Sequence, residues 1–126
     1  MSRIRSKDTK PEMTVRKFLH ANGFRYRLHV KGLLGRPDIV LPKYKTVVFV
    51  QGCFWHGHQD CKYFKIPSTR TDWWTSKIGN NIARDNMAAT QLFAEGWTVI
   101  VIWECDLKPA KQAQTLITLV QKLKNS

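Results

Sequence analysis

A chain of 126 residues with 43% hydrophobic content is long enough to bury a real core, and we expect one domain spanning residues 1–126. Its 21 lysines and arginines outnumber nine acids, and the resulting charge of +12 favours a polyanionic partner, most commonly nucleic acid. No apolar run approaches the roughly 20 residues that cross a bilayer, and residues 1–10 are too polar and basic for a signal peptide. We therefore expect a cytoplasmic protein without a membrane partner.

The first part of the chain predicts one helix and three strands. Thr9 is a typical N-cap, and apolar residues at helical spacing follow it, so the pattern predicts a helix over 10–22. Residues 24–30 alternate strictly between apolar and basic or histidine side chains, which predicts a strand with one wet face. Two short apolar runs predict further strands over 37–41 and 46–50, and the second is apolar on both faces, as in a central strand.

The second part of the chain predicts a crossover. Residues 51–68 form a loop too long and too polar for a simple hairpin. A helical turn or two is expected over 72–78, and a better helix over 81–95. The apolar strand 97–103 follows closely, and an amphipathic helix over 111–124 closes the chain. A strand–helix–strand order favours parallel pairing of the last two strands, so the fold class is α/β, with a mixed sheet flanked by helices.

Cysteine and histidine spacing predicts a zinc site. Cys53, His58 and Cys61 have the spacing C-x4-H-x2-C, and Cys105 follows the last strand. If that strand lies beside 46–50, Cys105 leaves the sheet at the same edge as Cys53. Three thiolates and one imidazole would then form a closed tetrahedral site. His56 could replace His58 as the nitrogen ligand, although we favour His58.

The residues around the same sheet edge also suggest a hydrolytic centre. Asp38 stands near the start of a strand, where a carboxylate can hold Mg²⁺ together with a main-chain oxygen, here that of Val50. His56, if free of zinc, could take a proton from an attacking water. Asp85, within the crossover helix, could fix the tautomer of a histidine.

Five segments between about Ser2 and Cys105 together form a pattern that is typical of one protein family. They are G-R-P-D-I-V (35–40), V-F-V-Q-G-C-F-W-H-G-H (48–58), R-T-D-W-W (70–74), I-G-N-N-I-A-R-D (78–85) and E-G-W-T-V-I-V-I-W-E-C (95–105). In this order, and nearly without gaps, they closely resemble the very-short-patch repair (Vsr) endonucleases. The resemblance implies a restriction-endonuclease-like α/β fold with a structural zinc. It also implies a Mg²⁺-dependent nick in one strand of duplex DNA, 5′ of the T in a T·G mismatch.

The resemblance also implies roles for individual residues. Asp38 and the main-chain oxygen of Val50 become Mg²⁺ ligands, His56 the catalytic histidine, and Asp85 and Glu12 its companions in the active site. The implied zinc ligands are Cys53, His58, Cys61 and Cys105. The implied DNA contacts are the aromatic wedges Phe54, Trp55 and Trp74, with Arg3, Arg5 and Lys7 in the basic N-terminal lead-in. We expect a cytoplasmic monomer associated with the bacterial nucleoid. Mismatch-repair proteins are candidate partners besides DNA.

The sequence departs from the family pattern in three places. Gln51 stands where the family usually has a second catalytic histidine, and glutamine can donate to a phosphate oxygen but cannot titrate. The zinc loop is one residue longer than usual. Family members often have a longer basic N-terminal arm, so we expect a weaker grip on DNA by the segment that contains Arg3 and Arg5. Two alternatives therefore stay open: a homing- or restriction-type nuclease of the same fold with another specificity, and a zinc-stabilised DNA-binding module without catalysis.

Overall fold

The computed structural model describes residues 9–125, which form three helices, three strands and two short 3₁₀ turns. In chain order the main elements are α1 (Lys10–Ala21), β1 (Ile39–Leu41), β2 (Thr46–Gln51), α2 (Thr71–Ala94), β3 (Thr98–Trp103) and α3 (Gln112–Lys124). The 3₁₀ turns span Pro42–Tyr44 and Glu104–Leu107. None of the helices within the described range is both long and apolar enough to cross a membrane.

The sheet is mixed, and β2 is its central strand. β1 pairs antiparallel to β2 with Ile39 opposite Val48, and β3 pairs parallel to β2 with Gln51 opposite Trp103. The predicted parallel crossover and the α/β class are therefore confirmed. Nearly every residue of β2 is buried, because helices cover both faces of the sheet at this strand. The parallel register places the C-terminal ends of β2 and β3 at the same edge of the sheet.

The predicted strand over 24–30 is wrong as an element, although its alternation is visible in the burial. Only one isolated antiparallel bridge forms there, in which Arg27 and Val40 exchange backbone N–H···O bonds of 2.8 and 2.9 Å. Phe24 is buried while Arg25 and Arg27 are exposed. The bridge does not extend because His29 adopts a left-handed conformation with φ of 54°, which turns the chain away from β1.

Helix α2 is one continuous element of 24 residues rather than the two predicted pieces. It runs through Gly79, although glycine costs about 1 kcal/mol relative to alanine inside a helix. Burial of Ile78, Ala88 and Leu92 on the face toward the protein stabilises the whole length. A single rigid helix therefore passes alongside the loop that leaves β2.

The core has two unequal parts, one for each face of the sheet. Helices α1 and α3 cover one face, where Val15, Leu19, Leu119 and Leu123 are almost fully buried. On the other face, a smaller cluster packs Leu92 of α2 against residues of the sheet such as Phe49. Because α2 covers this face less completely, clefts remain between α2, the sheet edge and the loop after β2. These clefts contain the candidate site.

Candidate active site and metal centre

Three cysteines and one histidine converge beyond the ends of β2 and β3. One ligand atom from each of Cys53, His58, Cys61 and Cys105 lies within 4.8 Å of the others, so the group could hold a metal ion. The backbone N–H of Cys105 donates to Sγ of Cys53 at 3.4 Å, and Sγ of Cys105 lies 3.5 Å from Nδ1 of His58. The predicted set of four is confirmed as a cluster, and His58 rather than His56 belongs to it.

The local chain geometry explains why His58 turns inward. The backbone N–H of His58 donates to the Cys53 carbonyl at 2.9 Å, which closes the loop back on its start. The imidazole then stacks on Trp103 with centroids 4.0 Å apart and planes within 6°. Because Trp103 is the last residue of β3, the ring is fixed against the sheet edge.

The thiols of the cluster differ in acidity without a metal. Burial raises the pKa of Cys53 to about 12 and also raises that of Cys105. Desolvation also acts on Cys61, but hydrogen bonds from the Tyr63 N–H and the other two cysteines outweigh it and lower its pKa. A divalent ion must therefore displace thiol protons, and a donor set of three sulfurs and one imidazole suits Zn²⁺.

A separate cleft of about 760 Å³ contains all the other predicted catalytic residues. Its walls come from α1, the segment just before β1, β2, the loop after β2 and α2, so residues far apart in sequence meet there. The predicted residues that line it are Glu12, Asp38, Val50, Gln51, His56 and Asp85. Three other charged residues line this cleft, Arg36, Lys77 and Glu104, and the sequence analysis assigned none of them to the site.

Asp38 lies next to Glu12 at one end of this cleft. The pKa of Asp38 is raised to about 7, chiefly by burial and also by the nearby Glu12 carboxyl, while the hydrogen bond from the Val50 N–H acts in the opposite direction. That N–H donates to Oδ2 of Asp38 at 2.7 Å, so the Val50 contact with this carboxylate is through its amide. Because the Glu12 carboxylate disfavours the ionised form of Asp38, a cation bound at Asp38 would stabilise that form.

Glu12 is itself held in position by α1. It is only 3% exposed, and its Oε2 accepts from Nη2 of Arg16, one helical turn further on, at 3.1 Å. Thr9, as predicted, caps the helix by accepting from the Glu12 N–H at 3.4 Å. One arginine thus offsets part of the negative charge of Glu12 and Asp38.

His56 and Asp85 form the second pair in the cleft. Nδ1 of His56 lies 2.6 Å from Oδ2 of Asp85, and both side chains are half-buried. An ionised Asp85 favours the tautomer with the proton on Nδ1, which leaves Nε2 as a proton acceptor. The geometry is that of a histidine oriented by a carboxylate.

Helix α2 contacts three consecutive residues of the loop after β2. Asn81 donates from Nδ2 to the carbonyl of Trp55 at 2.9 Å, and Asp85, one turn along, holds His56. Gly57 follows with φ of 60° and lies so close to α2 that an added Cβ would sit 2.6 Å from Cδ1 of Ile82. Sequence reasoning missed Asn81 and Gly57, although the four-residue spacing of Asn81 and Asp85 was a usable signal.

The contact at Gly57 leads to a prediction. Gly57→Ala is expected to lower the free energy of unfolding by about 1–3 kcal/mol, because it combines a left-handed φ with a clash against Ile78 and Ile82. Gly79→Ala is the matched control, since a Cβ there meets nothing within 4 Å and should stabilise α2 by about 1 kcal/mol. Chemical denaturation measures both, and equal effects of the two substitutions would contradict the packing described here.

The three predicted wedge aromatics also form a cluster. The rings of Phe54, Trp55 and Trp74 have pairwise centroid separations of 5.2–5.7 Å, and all three are half-buried. Trp73, which was not predicted, extends the cluster to solvent with 47% exposure and lies under the Arg70 guanidinium at 4.8 Å. The cluster is joined to the cleft through Trp55. Arg3, Arg5 and Lys7 lie outside the described residues.

Comparison with known proteins identifies the class. The family model described as DNA mismatch endonuclease Vsr matches residues 1–63, which is half of the chain. Relatives that are 42% to 51% identical align with at least 85% of the chain. The chain therefore belongs to the Vsr family of endonucleases.

Individual relatives carry two kinds of name. A type II nicking enzyme, V.NmeAIP of Neisseria meningitidis serogroup A, is 51% identical over all of this chain and 90% of its own length. Another, V.XorIIP of Xanthomonas oryzae pv. oryzae, is 51% identical over 85% of this chain and 78% of its own. The DNA mismatch endonuclease Vsr of Escherichia coli is 42% identical over 86% of this chain and 69% of its own.

Proposed function

We propose that this protein nicks one strand of duplex DNA on the 5′ side of the T in a T·G mismatch, by hydrolysis of one phosphodiester bond. The observation that carries the proposal is the meeting, in one cleft, of the Glu12–Asp38 carboxyl pair and the His56–Asp85 pair beside an aromatic cluster. The E. coli relative is named a DNA mismatch endonuclease, and two others are named nicking enzymes. The net charge of +12 suits a DNA substrate.

The proposed chemistry assigns a separate role to each pair. Mg²⁺ bound at Asp38 would neutralise charge on the scissile phosphate. His56, with Nδ1 held by Asp85, accepts a proton at Nε2 from the attacking water. That water adds to phosphorus as the P–O3′ bond breaks. Glu12, fixed by Arg16, keeps the Asp38 carboxyl in place and adds negative charge for the cation.

Selectivity for a mismatch follows from the aromatic cluster. Rings inserted beside a base step partly unstack it, which costs a few kcal/mol and least where the pairing is already faulty. Trp55 is directly followed by His56, and α2 holds both of these residues. Insertion at the mismatch would therefore position the histidine at the neighbouring phosphate.

We further propose that the metal at the Cys53, His58, Cys61 and Cys105 cluster is a structural Zn²⁺. The four donors leave no open ligand position, which distinguishes structural from catalytic zinc. Cys53 and His58 flank the residues Phe54, Trp55 and His56 in sequence, so the ion fixes both ends of the segment that carries the wedge and the catalytic histidine. One domain that cuts one strand needs only one copy of the chain.

Cleavage of two matched duplexes tests the proposed function. The duplexes differ only in T·G against T·A at one position, and nicking is followed with Mg²⁺ and without added divalent ions. The proposal expects Mg²⁺-dependent nicking of the T·G duplex at a rate at least about a hundredfold higher. Equal cutting of both duplexes would support the alternative of a restriction-type nuclease. The observation that favours this alternative is that relatives such as V.NmeAIP are named type II nicking enzymes. Binding without cutting would support a non-catalytic module.

Gln51 provides a further prediction within this site. It is 7% exposed and lines the same cleft as His56. Gln51→His is expected to keep or raise the nicking rate, because the family usually has a titrating histidine there. Gln91→His, an exposed change on α2, is the control and should leave the rate unchanged. A large loss in Gln51→His alone would show that the amide itself acts in chemistry or recognition.

A further inference from the structure

A second cleft of about 550 Å³ meets the catalytic cleft at Asp38. The two clefts share only Glu12, Arg36 and Asp38. The remaining walls of the second cleft come from the turn between residues 29 and 37, which contributes nothing else to the catalytic cleft except Gly35. We call this second cleft the basic groove and define it by His29, Lys31, Leu33, Arg36 and Asp38.

The rim of the basic groove is positively charged. His29, Lys31 and Arg36 are all exposed. Within residues 9–125, neither Lys31 nor Arg36 has an ion-pair partner. The two acids that also line this cleft, Glu12 and Asp38, are less exposed and form no ion pair with Lys31 or Arg36, so these two cations at the rim suit an anionic ligand.

The backbone fixes the position of Arg36 unusually firmly. Arg36 and His29 adopt left-handed φ angles of 52° and 54°, which cost non-glycine residues roughly 1–2 kcal/mol. The preceding Gly35 lies so close to α2 that an added Cβ would be 2.6 Å from Cβ of Ala88. Arg36 therefore stands on a turn packed against the core, two residues before Asp38. Strain held by surrounding structure in this way is typical of functional sites.

We infer that the basic groove binds phosphates of the strand to be cut, on the 5′ side of the nick. The inference rests on the proposed function, in which Asp38 lies at the scissile phosphate. A strand passing that point must continue in two directions. One leads through the catalytic cleft to Trp55 and the mismatched T, which is on the 3′ side of the nick. The other leads into the basic groove, where the Arg36 fork and Lys31 would hold phosphodiester oxygens.

Methylphosphonate substitution tests this assignment one phosphate at a time. Binding to T·G duplexes is measured with Ca²⁺ in place of Mg²⁺, with a single neutral linkage one or two positions 5′ of the nick, or at the same distances 3′ of it. Neutral linkages on the 5′ side are expected to weaken wild-type binding about fivefold to tenfold. Arg36→Ala should bind the unmodified duplex about as weakly and lose nothing further from the 5′ substitutions. It should keep its sensitivity to the 3′ substitutions.

Salt dependence gives an independent measurement on a fully matched duplex. Arg36→Ala should reduce the slope of log K against log salt by about 1, and Lys31→Ala/Arg36→Ala by about 2. Lys122→Ala, an exposed lysine on α3, is the control and should leave the slope unchanged. Alanine and arginine carry a similar steric cost at a left-handed φ, so Arg36→Ala removes the charged side chain without changing the backbone strain.

The two arms separate the possible failures. If the wild-type protein nicks T·G duplexes but Arg36→Ala has the same salt slope as wild type, the groove assignment is overturned and the proposed function is not. Continued sensitivity of Arg36→Ala to 5′ methylphosphonates would overturn it as well. A wild-type protein that binds DNA but does not nick would contradict the proposed function, while the salt slopes would still report whether Arg36 contacts phosphate.

Discussion

Asp38→Asn is expected to lower the nicking rate at least about a thousandfold while leaving DNA affinity within a few-fold of wild type. The amide cannot hold Mg²⁺ as a carboxylate does, yet its oxygen can still accept the Val50 N–H that now binds Oδ2 at 2.7 Å. Asp38→Ala should be equally inactive. Single-turnover nicking of a T·G duplex and a binding titration measure the two effects separately.

Glu95→Gln is the matched control for these substitutions. Glu95 is an exposed carboxylate at the C-terminal end of α2, so removing its charge changes the net charge of the protein by the same amount. It should leave nicking unchanged. Nicking by Asp38→Asn or Asp38→Ala at the wild-type rate would refute the metal-binding role of Asp38.

The pKa of Asp38 gives a stability prediction with a definite sign. Burial raises the pKa of Asp38 from 3.8 to about 7 without a metal, so between these values the folded protein binds a proton that the unfolded chain has released. The free energy of unfolding contributed by Asp38 therefore falls as pH rises from about 4 to 7. In Mg²⁺-free buffer, Asp38→Asn should be more stable than wild type at pH 8, and the difference should shrink toward pH 5. A difference independent of pH would contradict this.

Loss of a cluster ligand should have the largest effect on the fold around the site. Structural zinc contributes roughly 10–16 kcal/mol of apparent binding free energy in zinc-finger peptides. Cys105→Ser is therefore expected to lower the free energy of unfolding by at least about 3 kcal/mol, or Tm by roughly 10 °C. It should also abolish nicking, because Cys105 joins the loop of Cys53 and His58 to the end of β3.

The measurement combines zinc content with thermal unfolding. Wild type should carry one zinc per chain, and zinc affinity should fall with falling pH because protons compete for the thiolates. His58→Asn should behave as Cys105→Ser does, whereas His20→Asn, on the exposed face of α1, should keep its zinc and its Tm. Full nicking by zinc-free protein would contradict a structural role for the ion.

Sequence patterns predicted the parts of this fold that depend on continuous burial. The apolar runs of β2 and β3 identified the central strand and its parallel neighbour, and their parallel order brought Cys53 and Cys105 to one edge. The alternation over 24–30 predicted which side chains are buried, but not that pairing would stop after one bridge. Strand pairing depends on a distant partner and on backbone angles such as that of His29, which local patterns do not contain.

The candidate site shows the same division. Residue types and spacing predicted Asp38, His56 and the four side chains that could hold a metal ion, because each has a chemical signature. The contacts that hold them, from Asn81 to Trp55 and from Gly57 to Ile82, depend on how α2 passes the loop. The raised pKa of Asp38 likewise depends on its burial beside Glu12, which only the folded structure reveals.

The position of the cut shows whether this protein is a mismatch-directed nicking enzyme. A T·G duplex labelled at the 5′ end of each strand in turn is incubated with Mg²⁺ under single-turnover conditions, and the products are sized against a sequence ladder. We expect one nick, in the T-containing strand only, at the phosphate immediately 5′ of the mismatched T, with the G-containing strand intact. Cuts in both strands, or a nick whose position does not move when the mismatch is moved, would contradict it.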